Sequence, residues 1–457
     1  MAAGQGTRMR SSLPKPLHPV CGRPMVAWPV LAARAAGAGR VAVIVSPDRD
    51  LTPGLPTGTE TVVQPEANGT GGAVRAAHDI VRDSDTVVVL SGDVPLISGE
   101  VVAALLETHR AADAAATVLS VELEDPGSYG RIVRGDDGDG DVERIVETKH
   151  PEGMPAELLA IREINTGTYV FDAPPLVEAL DRLAADEATG EYFLPDVLPT
   201  FREQGLRVVA HLSSDPNVNL GVNNRADLAL VTREAQRQIL ERHMHAGVTV
   251  VDPGATWIEA EVEIAADTTI EPGTYLRGAT TIGPDSVVGP HTTLVDSTVG
   301  AGCRIVHSHV CEAEVGDEAS VGPFAYLRPG AALGTRAKAG TFVEVKGSRI
   351  GDGAKVPHLA YVGDAEIGAG ANVGAGAITA NYDGHAKHPT KIGEGARISV
   401  NTSLVAPVNV GDGAYTGAGA VIREDVPEGA LGISTNEQRN VEGYAERKAR
   451  EAEGRGE

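Results

Sequence analysis

The chain has 457 residues and sets 63 Asp and Glu against 39 Lys and Arg, for a formal net charge of −24. That length builds two or three domains with cores of their own. The acidic balance excludes a generally basic nucleic-acid-binding surface but leaves room for a local cation cluster that holds a phosphate. No run approaches the ~20 apolar residues of a membrane span, and the start lacks the basic-then-apolar pattern of a secretory signal. Cys21, Cys303 and Cys311 are too few, and oddly counted, for a disulfide framework, which fits a reducing cytosol. Fifty-five glycines stand against five Phe, nine Tyr and two Trp, a bias that calls for a search for repeats.

The chain begins Met1-Ala2-Ala3-Gly4-Gln5-Gly6-Thr7-Arg8-Met9, with Leu13-Pro14-Lys15 shortly after. Small residues let backbone N–H groups approach a phosphate, and Arg8 and Lys15 add positive charge. Taken alone, the same pattern suits an ordinary turn. Helical spacing follows over 24–36 and 71–81. Between and after these lie the aliphatic runs Val41-Ala42-Val43-Ile44-Val45 and Thr86-Val87-Val88-Val89-Leu90, which predict strands buried on both faces. Such alternation indicates a doubly wound α/β domain. Asp93 follows the second run, where a carboxylate either caps a helix or holds a metal ion. A helix is predicted over 224–246, with Leu228, Val231, Ala235, Ile239 and Leu240 along one side and Gly247 ending it.

The second half has a different rhythm. Ile264, Ile270, Leu276, Ile282, Val288 and Leu294 recur every six residues; after an irregular stretch so do Val315, Val321, Leu327, Leu333, Ala339 and Val345, and then Ile392, Ile398, Leu404, Val410, Thr416 and Ile422. Six is three periods of two, so each hexad gives one short strand and one bend, with the aliphatic residue inward. Three hexads close an eighteen-residue coil, and coils stack into a parallel β-helix, about nine of them spanning roughly 40 Å.

Arg328 and Lys346 lie one coil apart, so they stack on one edge, an arrangement that suits a bound anion as well as two solvated charges. His358 stands two positions after the inward Val356 and is free to face outward, where an imidazole accepts protons near neutral pH. The hexads break between Ile378 and Ile392, which predicts an extruded loop carrying Asn381, Tyr382 and Lys387.

In order along the first half, the A-A-G-x-G-T-R-M loop, Leu13-Pro14-Lys15, Gln64, Gly69-Thr70, Gly92-Asp93-Val94-Pro95-Leu96, Tyr129-Gly130-Arg131, Glu147, Asn165-Thr166-Gly167 and Gly221-Val222-Asn223-Asn224-Arg225 resemble the sugar-1-phosphate nucleotidyltransferases. With the hexads attached, nearly the whole chain is similar to the bacterial bifunctional family that joins N-acetylglucosamine-1-phosphate uridyltransferase to glucosamine-1-phosphate acetyltransferase. The resemblance implies a Rossmann-like nucleotidyltransferase domain over 1–223, a connecting helix over 224–246, a left-handed β-helix over 247–432 and a tail over 433–457. It implies nucleotide and sugar contacts from Met1, Ala2, Ala3, Gly4, Arg8, Lys15, Gln64, Gly69, Thr70, Asp93, Gly130, Glu147, Asn165 and Asn223, with Asp93 and Asn223 holding Mg²⁺. In the β-helix it implies His358 as catalytic base and Arg328, Lys346, Tyr361 and Asn372 as sugar-phosphate contacts. Ala375, Asn381, Tyr382, Lys387 and Ala418 are the implied acetyl-CoA contacts.

The implied substrates are UTP, N-acetylglucosamine-1-phosphate, glucosamine-1-phosphate and acetyl-CoA, handled by a cytoplasmic homotrimer with no nucleic-acid partner. An alternative reading keeps only nucleotidyl transfer and uses the β-helix for trimerisation. The chain departs from the family pattern in four places. Met1 stands where the first central strand should be ending, so the expectation is a start upstream of Met1. Val400 replaces a serine in a coenzyme-binding segment, Thr435 replaces an arginine found in some relatives, and Gly72 replaces a histidine.

Overall fold

The computed structural model describes residues 1–135, 141–148, 153–187, 189–434, 438 and 440–453. It forms two compact units, Met1–Ile239 and Leu240–Glu457. No helix among the described residues is long and apolar enough to cross a membrane.

The first unit is built on a mixed six-stranded sheet. Val208–Leu212, Ala116–Glu122, Glu163–Asp172, Arg131–Arg134 and Val142–Val146 follow in that order, and Thr86–Val89 also pairs with Glu163–Asp172. Side chains alternate between its two buried faces. Val118, Phe171 and Val208 pack with Leu176, Leu180 and Phe201 on one face, while Leu119, Ile164 and Val170 pack with Val102 and Leu105 on the other. Helices Ala173–Arg182 and Leu198–Glu203 thus cover one side and Gly99–Ala111 the other, the doubly wound arrangement expected. Ser98 starts Gly99–Ala111 by accepting a hydrogen bond from the Val101 N–H at 3.2 Å. That cap leaves Asp93 in the loop between strand and helix.

The local elements differ in detail from the sequence reading. The 24–36 pattern is the helix Ala27–Ala35, preceded by an antiparallel pairing of Pro19–Val20 with Arg23–Pro24. The 71–81 pattern is two helices, Gly69–Ala76 and His78–Arg82, separated at Ala77. Ala42–Val45 pairs only with Glu60–Val63, outside the main sheet. Within Thr86–Val89 only Val89 is buried, contrary to the expectation of burial on both faces. The reason is a cavity of about 610 Å³ between these two strands, lined by Val30, Val43, Val74, Val81, Val87 and Val89 among others. At one end of the cavity Met1 and Ala2 bridge the two edges: the Met1 ammonium donates to Leu90 O at 2.7 Å, Gly92 N–H to Met1 O at 2.8 Å and Ala2 N–H to Ile44 O at 2.8 Å.

The second unit is a three-sided prism of parallel sheets with 11, 10 and 9 strands, the architecture expected of a left-handed hexapeptide β-helix. Every hexad position named above from Ile264 to Ile422 points inward and is buried. Fully burying each larger aliphatic side chain contributes about 1.5–3 kcal/mol. The stretch between Leu294 and Val315, irregular in sequence, is regular in space: Leu294 lies over Val310 and Val299 over Val315, in coils two residues shorter than eighteen. Residues are lost at the corners while the faces keep register. Each hexad also buries a second residue two positions before the aliphatic one, valine at Val262, Val343 and Val408 but small in most coils, as at Thr268, Thr274, Thr280, Ser286, Thr292 and Ser297. Their hydroxyls satisfy backbone groups of neighbouring coils; Ser286 Oγ donates to Gly300 O at 3.0 Å and accepts from Cys303 N–H at 3.0 Å. Glycines after the aliphatic residue matter for packing: a Cβ on Gly316 would lie 2.8 Å from the Gly334 carbonyl carbon one coil on. His291, His307, Phe324 and Phe342 form a ring ladder along one corner, with centroids 5.2–5.5 Å apart.

The helix Arg225–His245 runs from one unit into the other. Near its end His243 is buried, and desolvation together with Arg242 lowers its pKa to about 4. A base held neutral in the fold stabilises it fully above the unfolded pKa of about 6.5 and loses that contribution as pH falls toward 4. Melting curves of the native protein and of His243→Gln should therefore diverge between pH 6.5 and 4, with the native protein losing up to about 3 kcal/mol more.

Two candidate active sites

In the first unit the N-terminal loop is folded against both ends of the domain. Arg8 lies in the short 3-10 turn Thr7–Met9, whose carbonyl at Met9 accepts from Arg225 Nε at 3.2 Å. Arg8 Nη2 donates to Asn223 Oδ1 at 2.8 Å, and Lys15 Nζ donates to Asp93 Oδ2 at 2.7 Å. Val222 N–H donates to Asp93 O at 2.9 Å, so the chain segments carrying Asp93 and Asn223 are joined directly. Four residues remote in sequence thus converge, two cations against two oxygen donors. Gly6 makes the approach feasible: it adopts φ +59°, and a Cβ there would sit 2.6 Å from Lys15 Cβ. Among the described residues no group of three or more His, Cys, Asp or Glu gathers for a metal. A single carboxylate with an amide oxygen is a sparse all-oxygen set, which fits Mg²⁺, an ion that keeps waters and takes phosphate oxygens.

Gly130, Glu147 and Asn165 also meet. Asn165 N–H donates to Gly130 O at 2.9 Å, and a Cβ on Gly130 would lie 3.2 Å from Glu147 Oε1. A register shift in the pairing of Ala116–Glu122 with Glu163–Asp172 falls just after Asn165, which still pairs with Ser120, and leaves 166–168 out of the ladder. Asn165 Nδ2 donates to the Tyr169 hydroxyl at 2.7 Å. Gln64 is buried, and its amide donates to Asn68 Oδ1 at 2.9 Å and Gly69 O at 3.2 Å. Thr70 Oγ1 accepts from Leu194 N–H at 3.0 Å, so this hydroxyl already serves the fold. Gly72 has a local reason: a Cβ there would overlap Asn68 Oδ1, at 1.8 Å. Ala3 is buried and Gly4 exposed in the same loop. The cavity of about 610 Å³ lies beside this constellation, between strands, with Met1, Ala2 and Gly92 in its lining.

On the prism the coil stacking places His358, Ala375, Val400 and Ala418 in one corner column. The residue following each of the last three donates its N–H down the column: Gly376 to His358 O at 3.4 Å, Asn401 to Ala375 O at 2.7 Å and Gly419 to Val400 O at 2.9 Å. His358 is exposed at the end of Lys355–His358. Across the neighbouring face, Arg328 stacks beneath Lys346, as the eighteen-residue spacing predicts, and Lys346 pairs with Gly363. Lys346 Nζ donates to Asp364 Oδ1 at 2.6 Å, Asn381 Nδ2 to Asp364 Oδ2 at 2.6 Å, and Arg328 Nη1 to Glu344 Oε1 at 2.9 Å. Asp364 holds the Lys346 ammonium above the usual lysine range, while the nearby Lys346 charge pushes Lys387 down. For Asp364, burial opposes ionisation, but the hydrogen bonds from Lys346 and Asn381 outweigh it and depress its pKa. Two ammonium groups around one carboxylate leave a net positive patch suited to an anion. Tyr361 lies on the face between this patch and His358. Asn372 is not brought beside Lys346; it opens a strand on the face that carries His358, stacked on Lys355. The loop 381–389 is extruded, with Tyr382 exposed and bridged to Lys387. The residue before it that points inward is Thr379 rather than Ile378, because Thr379 Oγ1 accepts from Gly363 N–H at 2.7 Å. Thr435 lies outside the described residues.

A family model for MobA-like NTP transferase domains matches residues 1–194. The chain is 48% identical over 452 residues to the bifunctional protein GlmU of Pseudarthrobacter chlorophenolicus, covering 97% of this chain and 91% of that protein. It is 46% identical to bifunctional protein GlmU of Streptomyces avermitilis, covering 98% and 93%, and 46% identical to that of Brevibacillus brevis, covering 98% and 97%. The chain belongs to the bifunctional GlmU family. In this GlmU-family chain the sequence reading passed over Glu344 and Asp364, although adding one coil to Lys346 leads to Asp364 and Glu344 stands two positions before Lys346 on the same strand. It also passed over Gly363, where a Cβ would lie 2.5 Å from the Tyr361 hydroxyl and 2.7 Å from Asn381 Nδ2. Gly363→Ala should displace both side chains and cost about 1–3 kcal/mol of stability, read by urea denaturation.

Proposed function

We propose that the chain makes UDP-N-acetylglucosamine, a precursor of bacterial cell-wall polysaccharide, in two steps on its two units. In the first step the amine of glucosamine-1-phosphate attacks the thioester carbonyl of acetyl-CoA. The C–N bond forms, the C–S bond breaks and the coenzyme leaves as a thiol. His358 accepts the proton that the amine loses. Arg328 and Lys346 hold the sugar phosphate, exchanging Glu344 and Asp364 for its oxygens, with Tyr361 and Asn372 completing the sugar contacts. Acetyl-CoA lies along the column of Ala375, Val400 and Ala418, held also by Asn381, Tyr382 and Lys387. No acyl-enzyme is needed, because the amine is itself the nucleophile.

In the second step the phosphate of N-acetylglucosamine-1-phosphate attacks the α-phosphorus of UTP. A P–O bond forms, the α–β phosphoanhydride bond breaks, and pyrophosphate leaves with the electron pair. Two polyanions must meet in line, so neutralisation and alignment are the principal tasks. Arg8 and Lys15 supply fixed positive charge, the Met1–Gly4 backbone lines the phosphates, and Gln64, Gly69 and Thr70 face the uracil. Gly130, Glu147 and Asn165 hold the sugar. Asp93 and Asn223 would hold Mg²⁺, which when bound neutralises and orients phosphate oxygens. The observation that carries this reading is the convergence of Arg8, Lys15, Asp93 and Asn223.

The assembly we propose is a cytoplasmic homotrimer with acetyl-transfer sites between prisms. Three features support it. Lys346 lies on one face of the prism and His358 and Asn372 on the neighbouring face. An apolar ridge of Phe324, Phe342 and Leu359, each more than half exposed, ends beside His358. All three cysteines are free.

We further propose that the cavity between Ala42–Val45 and Thr86–Val89 receives the expected first strand. The Met1 amino group, pushed down to about 6 by burial against the attraction of Asp93, occupies the place of a ladder amide there. Adding an apolar extended segment ahead of Met1 should raise the melting temperature by several degrees; an unchanged melting temperature would refute it.

His358→Ala should lower thiol release from acetyl-CoA at least a hundredfold while sparing pyrophosphate release from N-acetylglucosamine-1-phosphate and UTP. Asp93→Ala should do the reverse. Loss of both activities from either substitution contradicts the two-site reading.

A further inference from the structure

Arg131 is a fully folded-in cation that none of the assignments above uses. Its side chain is 3% exposed, on the strand Arg131–Arg134 between Val142–Val146 and Glu163–Asp172. It forms no ion pair among the described residues; its hydrogen bonds all go to neutral oxygens of one loop and one neighbour. Nη2 donates to Gly127 O at 2.9 Å, and Nη1 donates to Pro126 O at 3.4 Å, to Thr148 Oγ1 at 3.3 Å and to Tyr129 O. Thr148, itself 2% exposed, donates to the same Tyr129 carbonyl at 2.8 Å. Leaving a guanidinium buried without a carboxylate is costly unless its donors are satisfied. Here both Nη nitrogens are satisfied by those oxygens, while Nε, also buried, has no partner, and the cation is committed to fixing the main chain of residues 126–129.

The loop it fixes leads directly into Gly130, and Thr148 directly follows Glu147. Arg131 and Thr148 therefore tie together the two strands of chain that carry Gly130 and Glu147, 3.2 Å apart at the position of a Gly130 Cβ. The loop has a third tether, the Tyr129 hydroxyl donating to Asn219 O at 3.4 Å. We propose that Arg131, with Thr148, is a positioning residue that sets the width of the sugar subsite between Gly130 and Glu147, and so governs recognition of the sugar but not of the nucleotide. A planar fork reaching several carbonyls does this; a lysine ammonium on a flexible stem does not.

This inference rests on the uridyl-transfer reading and is tested so that the two fail separately. Arg131→Lys and Thr148→Val are compared with the native protein by calorimetric titration with UDP-N-acetylglucosamine and with UTP. Steady-state pyrophosphate release is measured alongside. The expected result for Arg131→Lys is at least a tenfold loss of affinity for the sugar nucleotide, with UTP affinity within twofold. The KM for N-acetylglucosamine-1-phosphate should rise correspondingly. Thr148→Val, a milder change that keeps the fold if Arg131→Lys does not, should shift the same ratio by a smaller factor. Equal losses for both nucleotides, or a lower melting temperature with no change in either affinity, overturns the proposal. A native protein that binds both nucleotides but releases no pyrophosphate would instead overturn the uridyl-transfer reading.

Discussion

The second unit depends on one repeated contact, a backbone N–H of one coil donating to a carbonyl of the next. Fifteen to nineteen residues separate the two partners in most coils, and 24 where the 381–389 loop intervenes, and that separation is what converts a linear chain into columns. Because inward positions carry aliphatic or small polar side chains, the columns keep register for the length of the prism. Everything exposed inherits that order. Arg328 and Lys346 share an edge for this reason, as do His358, Ala375, Val400 and Ala418 on another. The chemistry of each corner is set by which residue types recur at one coil's distance.

The first unit solves a different problem, gathering like charges in one place. It does so by pairing each cation with an oxygen donor from a remote segment: Lys15 with Asp93 and Arg8 with Asn223. The prism does the same with Lys346 and Asp364 and with Arg328 and Glu344. In both units the pairs are partly exposed, so each bond is weak in water and readily exchanged for a phosphate. The folded chain thereby holds its cations in place before any substrate arrives, at little energetic cost on release. The same device, cations held by remote oxygen donors, recurs in two unrelated architectures.

Much of this was legible in the residues, and the misses have identifiable causes. The hexads announced the prism because burial there has a strict period. The stretch from Leu294 to Val315 hid its coils because residues were lost at corners, where no burial constrains spacing. The small buried residue two positions before most aliphatic ones escaped notice because Thr, Ser and Ala carry little hydrophobic signal. In the first unit the strands were readable from aliphatic runs, but Ala42–Val45 lies outside the main sheet, and no local pattern encodes strand partners. The candidate site residues came mostly from ordered motifs. Asp364 and Glu344 lay outside those motifs and needed the coil geometry to be found, and Asn372 was grouped with Lys346 although it sits on another face.

The corners of the prism have a consequence beyond this chain. Coils of sixteen, seventeen and eighteen residues stack on one another, and the 381–389 loop leaves and rejoins a face without disturbing the coil above. Length variation is therefore absorbed at the vertices, one storey at a time, while the walls stay plumb. Such a scaffold can acquire or shed surface ornament over evolutionary time without renegotiating its interior.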